Sequence, residues 1–126
     1  MRALEHRDRS RQALDARLAT RGATPAARAA ALDTLERAGL VDDARLASGR
    51  ARALAARGYG DAAIRSLLEG EGLEAGTAAE AIAGLEPEPE RARALHAARG
   101  GGPRALRWLA ARGFDVAELA GFAEEA

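Results

Sequence analysis

Three stretches of this sequence can be laid over one another: Leu14-Asp-Ala-Arg-Leu18-Ala-Thr-Arg-Gly22, Ile64-Arg-Ser-Leu-Leu68-Glu-Gly-Glu-Gly72 and Ala105-Leu-Arg-Trp-Leu109-Ala-Ala-Arg-Gly113. Each carries an apolar pair at i, i+4 and ends on a glycine. That spacing puts the pair on one helix face. Glycine is the residue that most readily closes a helix in a left-handed conformation. The match continues past the turn: ten residues after each glycine lie Leu32, Ile82 and Ala123, and thirteen after lie Leu35, Leu85 and Ala126. The shared unit is a helix, a glycine turn, and a second helix with apolar positions at fixed offsets. The glycines are 50 and 41 residues apart, within the range of helical repeat arrays.

The punctuation around these stretches predicts the remaining elements. Ser10 caps a helix through Thr20 that stops at Gly22. Thr24-Pro25 supplies a cap and a first-turn proline for a helix to about Arg37, stopped by Gly39. Asp42 caps a helix over about 43–57, ended by Gly58, and a short helix over about 61–70 stops near Gly72. Thr77-Ala-Ala-Glu80 reads as a capping box opening a helix to about Leu85. Glu86-Pro87-Glu88-Pro89 breaks the chain before a helix to about Arg99, and Gly100-Gly101-Gly102-Pro103 restarts one that ends at Gly113. Asp115-Val-Ala-Glu118 opens the last. A short helix before Ser10, the one at 43–57 and the one at 90–99 each precede a copy of the shared unit. The expected architecture is all-α: three tandem three-helix repeats, about nine helices in an elongated, curved array, with repeats over 1–39, 40–86 and 87–126.

Composition agrees. Of the 126 residues 48% are hydrophobic, but 35 of these are alanine and 16 leucine, while Val and Ile together number four. A pleated sheet needs β-branched and aromatic residues to pack, and the aromatics are only Tyr59, Trp108, Phe114 and Phe122. Alanine, leucine, arginine and glutamate are helix formers. The third repeat has Ala105, Ala123 and Ala126 where the others have larger residues, which predicts looser packing there, since alanine buries little area. Cysteine is absent, which removes disulfides, thiolate zinc sites and cysteine nucleophiles. No apolar run approaches the ~18–20 residues of a membrane span. The start, Met1-Arg2-Ala3-Leu4-Glu5-His6-Arg7, has no apolar signal core. A cytoplasmic protein without membrane contact is expected.

Charge is balanced overall and uneven locally. Residues 1–65 hold 13 Arg against 8 acids, net +5; residues 66–90 hold 7 acids and no base, net −7; residues 91–126 hold 6 Arg against 4 acids, net +2. Every base is arginine. This argues against a uniformly basic nucleic-acid binder and for a polarised surface that docks on a partner.

No constellation for catalysis stands out, and no enzyme, metal or cofactor is expected. His6 and His96 have no second ligand at i+4, whereas zinc needs three or four converging ligands. A phosphate-cradling loop of the Gly-x-x-x-x-Gly-Lys type needs a lysine, and there is none. Ser10, Ser48 and Ser66 lie in no nucleophile elbow. Asp42-Asp43 is explained as a helix start. A repeat array buries its apolar stripes only by stacking neighbours, and this builds a long surface rather than a deep cleft.

The candidate binding residues are therefore arginines. Arg45 and Arg52 lie seven apart on one stripe, and Arg104 and Arg107 share another, away from Ala105, Leu106, Trp108 and Leu109. Arg65 turns away from Ile64, with Glu69 at i+4. Arg50 falls on a stripe with Leu46, Gly49, Ala53 and Leu54 that is expected to face the core; its stem either runs along apolar surface or meets a partner. The plain alternative for any one arginine is a solvated face with ion pairs worth ~0.3–0.5 kcal/mol each. Trp108 and Phe114 are expected to anchor the core.

Several pieces resemble the RecX family of bacterial recombinase regulators. Arg7-Asp8-Arg9-Ser10-Arg11 with Leu14 and Leu18 resembles the family's opening helix. Gly39-Leu40-Val41-Asp42-Asp43-Ala44-Arg45-Leu46-Ala47 resembles its Gly-Leu-x-Asp-Asp-x-Arg-aromatic-Ala segment, with Leu46 at the aromatic position. Arg57-Gly58-Tyr59-Gly60 followed by Ile64-Arg65 and Leu68, and Leu106, Trp108, Leu109 with Arg112-Gly113-Phe114, resemble the turns of its second and third repeats. The resemblance implies a fold of three-helix repeats. It also implies a protein that binds the RecA filament and restrains its ATPase, strand-exchange and co-protease activities, some members also touching DNA; a monomer is the default expectation. On that basis Arg11, Arg45, Arg50, Arg52, Arg57, Arg65, Arg104 and Arg107 are the expected contacts to RecA or DNA. The competing expectations are a small helical DNA-binding protein and a helical-repeat scaffold for another partner.

Overall fold

A computed structural model describes residues 9–115 and 117. Its helices are α1 (Arg11–Thr20), α2 (Pro25–Arg37), α3 (Asp43–Ala56), α4 (Asp61–Gly70), α5 (Ala75–Ala83), α6 (Glu88–Ala98) and α7 (Gly102–Ala111). Among the described residues there are thus seven helices and no strand. The short helix expected before Ser10, and all but the start of the one expected after Asp115, lie outside these residues. No helix among them is long and apolar enough to cross a membrane.

The capping chemistry forms as the residue types dictate. Ser10 accepts the Ala13 N–H at 3.0 Å, Thr24 the Ala27 N–H at 3.2 Å and Asp42 the Arg45 N–H at 3.0 Å. Gly22, Gly58, Gly72 and Gly113 adopt φ of 89, 87, 88 and 93°. The residue after each donates back into its helix: Ala23 to Leu18, Tyr59 to Leu54, Leu73 to Leu68 and Phe114 to Leu109, at 3.1, 3.1, 3.3 and 3.2 Å. The same turn recurs at Gly39 and Gly100, where Leu40 donates to Leu35 at 2.9 Å and Gly101 to His96 at 2.8 Å, so it is built six times among the described residues.

One start differs from expectation. α5 begins at Ala75 with Glu74 in the capping position and no side-chain cap bond, so Thr77 lies inside the helix. Register with the earlier turn decides this. Ala75 follows Gly72 by three residues, as Pro25 follows Gly22, and the buried Leu73 fixes the path between. The capping box is the weaker signal because a helix beginning at Thr77 would lose that turn.

The apolar residues gather into three clusters. Leu14, Leu32 and Val41, with Leu18 and Leu35 against them, form the first, around α1 and α2. Ala47, Ala51, Ile64, Leu68, Leu73, Ala78, Ala81 and Ile82 form the second, around α3, α4 and α5. Ala92, Leu109 and Phe114, with Leu95, Leu106 and Trp108 against them, form the third, around α6 and α7. We call the corresponding helices the first, second and third groups. Positions equated by the repeat are buried together: Leu14, Ile64 and Ala105, and likewise Leu32 and Ile82. Ala123 and Ala126 lie outside the described residues. Near Ala105 the third cluster takes its bulk from Phe114 and a half-buried Trp108.

The core face of α3 also differs from expectation. Its buried residues are Ala47 and Ala51, with Leu54 and Ala55 partly buried beside them. Arg50 lies off that face: its side chain is 44% exposed and pairs with Glu71 at 3.0 Å. Alanines four apart let α5 approach closely, and this closeness sets the rotation of α3 in place of the wider leucine-containing stripe.

Candidate functional site

The expected arginines divide by what the fold does with them. Arg11 is engaged inside the first group. Its guanidinium pairs with Asp33 at 3.0 Å and with Glu36, and its backbone N–H donates to Asp43 Oδ1 at 2.9 Å. Arg50 is held by Glu71, and Arg45 reaches Asp42 at 3.7 Å while its side chain stays 66% exposed. Arg52, Arg57, Arg65, Arg104 and Arg107 are exposed. Among the described residues none of these five pairs with a carboxylate within ion-pair distance.

Two surroundings separate these exposed cations. Arg65 lines a depression with Asp61, Glu88 and Asp115, so it is one cation in an acidic rim. Arg104 and Arg107 line another with Arg99, Ala105 and Trp108, in which no lining residue is acidic. There Arg99 lies over the Trp108 ring, its guanidinium carbon 3.8 Å from the centroid. A guanidinium seated on an indole keeps its N–H edge outward and loses less freedom on meeting an anion. The helix α7 thus presents a cationic face whose central ring is already covered.

That face continues into the turn after α3. Arg112 lies over Tyr59 at 3.9 Å and beside Trp108 at 5.1 Å, and Arg57 lies over the same Tyr59 ring at 5.8 Å. Arg112 also donates to the carbonyls of Arg57 and Gly58. On the opposite side of the turn Arg91, only 8% exposed, donates to Tyr59 O at 2.8 Å and to Asp61 Oδ1 at 2.6 Å. Glu88 accepts the Asp61 N–H at 2.7 Å, at the start of α4, and the Asp115 N–H at 3.0 Å, so one carboxylate takes both donors.

Arg91, Arg99 and Arg112 were not among the expected residues. For Arg112 the sequence does hold a signal, because Arg-Gly precedes an aromatic both at Arg57-Gly58-Tyr59 and at Arg112-Gly113-Phe114. Arg91 sits on the apolar stripe of α6 with Leu95, and a charge there marks a buried partner. Arg99 lies nine residues before Trp108 across a glycine turn, a distance that periodicity does not read.

No group of three or more His, Asp or Glu among the described residues is placed to hold a metal ion. His96 is half-buried, close to Gly101, and His6 lies outside the described residues.

No family model matches the chain. Regulatory protein RecX of Xanthomonas oryzae pv. oryzae (strain MAFF 311018) is 39% identical over 122 residues, covering 89% of this chain and 76% of that protein. Regulatory protein RecX of Chromohalobacter salexigens is 38% identical over 128 residues, covering 94% of this chain and 84% of the relative. Among solved structures, RecX from Lactobacillus salivarius superposes with a TM-score of 0.77 over 98% of this chain and 90% of that one, at 16% identity; the likeness there is of fold.

Proposed function

The chain belongs to the RecX family of regulatory proteins, and on that premise we propose that it lies against the RecA filament in the cytoplasm and restrains it. The full array is read as three three-helix units, over 1–39, 40–86 and 87–126, acting as a monomer. The observation that carries the reading is the row of exposed arginines on the middle and third groups that, among the described residues and apart from Arg45, pair with no carboxylate. Arg52 stands on α3 and Arg57 follows at its end, with Arg45 on the same stripe as Arg52, 66% exposed though 3.7 Å from Asp42. Arg104 and Arg107 extend the set onto α7.

Arginine suits such a surface because its planar fork grips carboxylates in pairs and stays charged. A surface carried by successive helical groups can touch successive protomers of a filament. Bridging them resists the subunit rearrangements that accompany ATP hydrolysis and so lowers ATPase, strand exchange and co-protease activity together. The face around Arg99, Arg104 and Arg107 favours a second contact, with DNA phosphates held in the filament.

The test is RecA ATPase on single-stranded DNA, titrated with this protein. Inhibition is expected, with the half-inhibiting concentration raised about tenfold, equivalent to ~1.4 kcal/mol, in Arg45→Glu/Arg52→Glu. Both residues are exposed, so helicity by circular dichroism should hold. No effect of the wild-type protein on the ATPase would end the reading; equal inhibition by the double variant would remove α3 from it.

A further inference from the structure

We infer that Arg91 and Arg112 are positioning residues: they lock the second and third helical groups at one angle. The two junctions share a plan. At the first, Ser10 Oγ donates to Glu71 O at 2.9 Å, just before the turn glycine Gly72. At the second, the Gly60 N–H donates to Arg112 O at 2.8 Å, just before Gly113. Ser10 and Gly60 are the capping residues of equivalent helices, α1 and α4. A carboxylate at the start of the next group's first helix supports each: Asp43 of α3 accepts the Arg11 N–H at 2.9 Å, and Glu88 of α6 accepts the Asp61 N–H at 2.7 Å.

The reinforcement differs. At the second junction three consecutive carbonyls, of Arg57, Gly58 and Tyr59, each accept from a guanidinium, the first two from Arg112 and the third from Arg91. Arg112 is seated on Tyr59 at 3.9 Å and Arg91 lies 5.7 Å from the Phe114 centroid. Charged donors held in a fixed plane on aromatic rings are directional and stronger than neutral ones. The backbones meet so closely that a Cβ on Gly60 would stand 2.5 Å from the Gly113 carbonyl carbon. At the first junction a Cβ on Gly72 would likewise stand 2.9 Å from Ser10 Oγ. Arg11 turns to Asp33 and Glu36 of its own group, and Arg50 pairs with Glu71 within the second. At the second junction these polar contacts act beside the packing of Trp108 on Gly58 and of Gly113 on Ala63.

The consequence for a surface spread over groups is direct. The arginines of α3 and those of α7 keep a fixed separation. This consequence for inhibition rests on the RecA reading above, whereas the joint itself does not.

The chain has no cysteine, so paired spin labels can be introduced cleanly at exposed positions. Ser66→Cys with Ala110→Cys spans the second junction; both sites are exposed. Distance distributions by pulsed electron resonance should show one narrow peak for this pair. Arg112→Gln should abolish the narrow peak with helicity unchanged. Arg112→Lys, which keeps the charge and loses the fork, should do the same. Gly60→Ala wedges the joint from its other side at an ordinary φ of −84° and should also broaden it, which keeps the test open if Arg112→Gln fails to fold. A narrow peak retained in Arg112→Lys or Gly60→Ala, or a broad one in the wild-type background, overturns the proposal. Where the competent angle falls to about a tenth of the population, RecA inhibition should weaken about tenfold. A wild-type protein without effect on RecA, but with the expected distances, would remove the RecA reading and leave the joint standing.

Discussion

Trp108 rests on the bare backbone of Gly58: a Cβ placed on that glycine would stand 2.8 Å from the far edge of the indole, at Cη2. The third group therefore borrows part of the second group's turn as a wall of its own packing. The glycine serves two ends at once, since it also holds φ at 87°.

Gly58→Ala should lower stability by about 2–3 kcal/mol, combining left-handed strain of ~1–2 kcal/mol with overpacking of ~1–3 kcal/mol that a small tilt of the indole partly relieves. Gly22 is the control. It has the same conformation, φ 89°, and a Cβ added there would meet nothing within 4 Å, so Gly22→Ala should cost only the strain, about 1–2 kcal/mol. Denaturant unfolding followed by circular dichroism measures both. Equal costs would mean that the indole contact contributes nothing.

The repeat was legible in the sequence because it is written in the two signals that read locally: apolar spacing and glycine stops. Leu14, Ile64 and Ala105 are all buried where the offsets place them, and Ser10, Thr24 and Asp42 cap as their hydroxyl and carboxylate chemistry demands. What escaped depends on contacts between groups. The rotation of α3, which takes Arg50 off the core, follows from Ala47 and Ala51 meeting α5, and an alanine-rich helix offers two stripes of nearly equal hydrophobicity. Arg91 and Arg112 draw their meaning from carbonyls 32 and 55 residues away. The exposed arginines were legible as exposed; which of them meet an acidic rim, as Arg65 does, is decided only when Glu88 folds over the start of α4.

Leu32→Ala should destabilise the first group by about 2–4 kcal/mol, the usual cost of emptying a buried leucine site. Leu32 is 2% exposed and sits in a cluster that shares no residue with the third. Amide hydrogen exchange should accordingly quicken in α1 and α2 and stay unchanged in α6 and α7. Uniform quickening along the chain would show that the groups unfold as one cooperative body.

Arg91→Leu should cost about 2–3 kcal/mol. Removing one partner of a buried ion pair usually costs ~3–5 kcal/mol, but Asp61 keeps 34% of its side chain exposed, so water recovers part of the loss. Asp61→Asn should cost about 1 kcal/mol, because the amide oxygen still accepts one hydrogen bond and Arg91 retains the Tyr59 carbonyl. Thermal unfolding of the two variants ranks them; the reverse order would place the energy of the site in the carboxylate rather than in the guanidinium.

Arg104→Gln/Arg107→Gln should alter DNA binding in a way that identifies the contact as phosphate. The α7 face holds Arg99 flat on Trp108, so the indole is covered and base stacking is unavailable without displacing that cation. Binding to single-stranded DNA should then depend on counterion release alone, with affinity falling as salt rises. Each phosphate contact adds roughly 0.7 to the slope of log affinity against log salt on single strands. The double variant should bind more weakly and flatten that slope by about 1.4, two contacts' worth, with no change in preference among oligonucleotides of different base. Fluorescence anisotropy over a salt series reads both quantities. An unaltered slope would move the DNA contact off α7, and a lost base preference would mean that Trp108 is uncovered on binding and stacks after all.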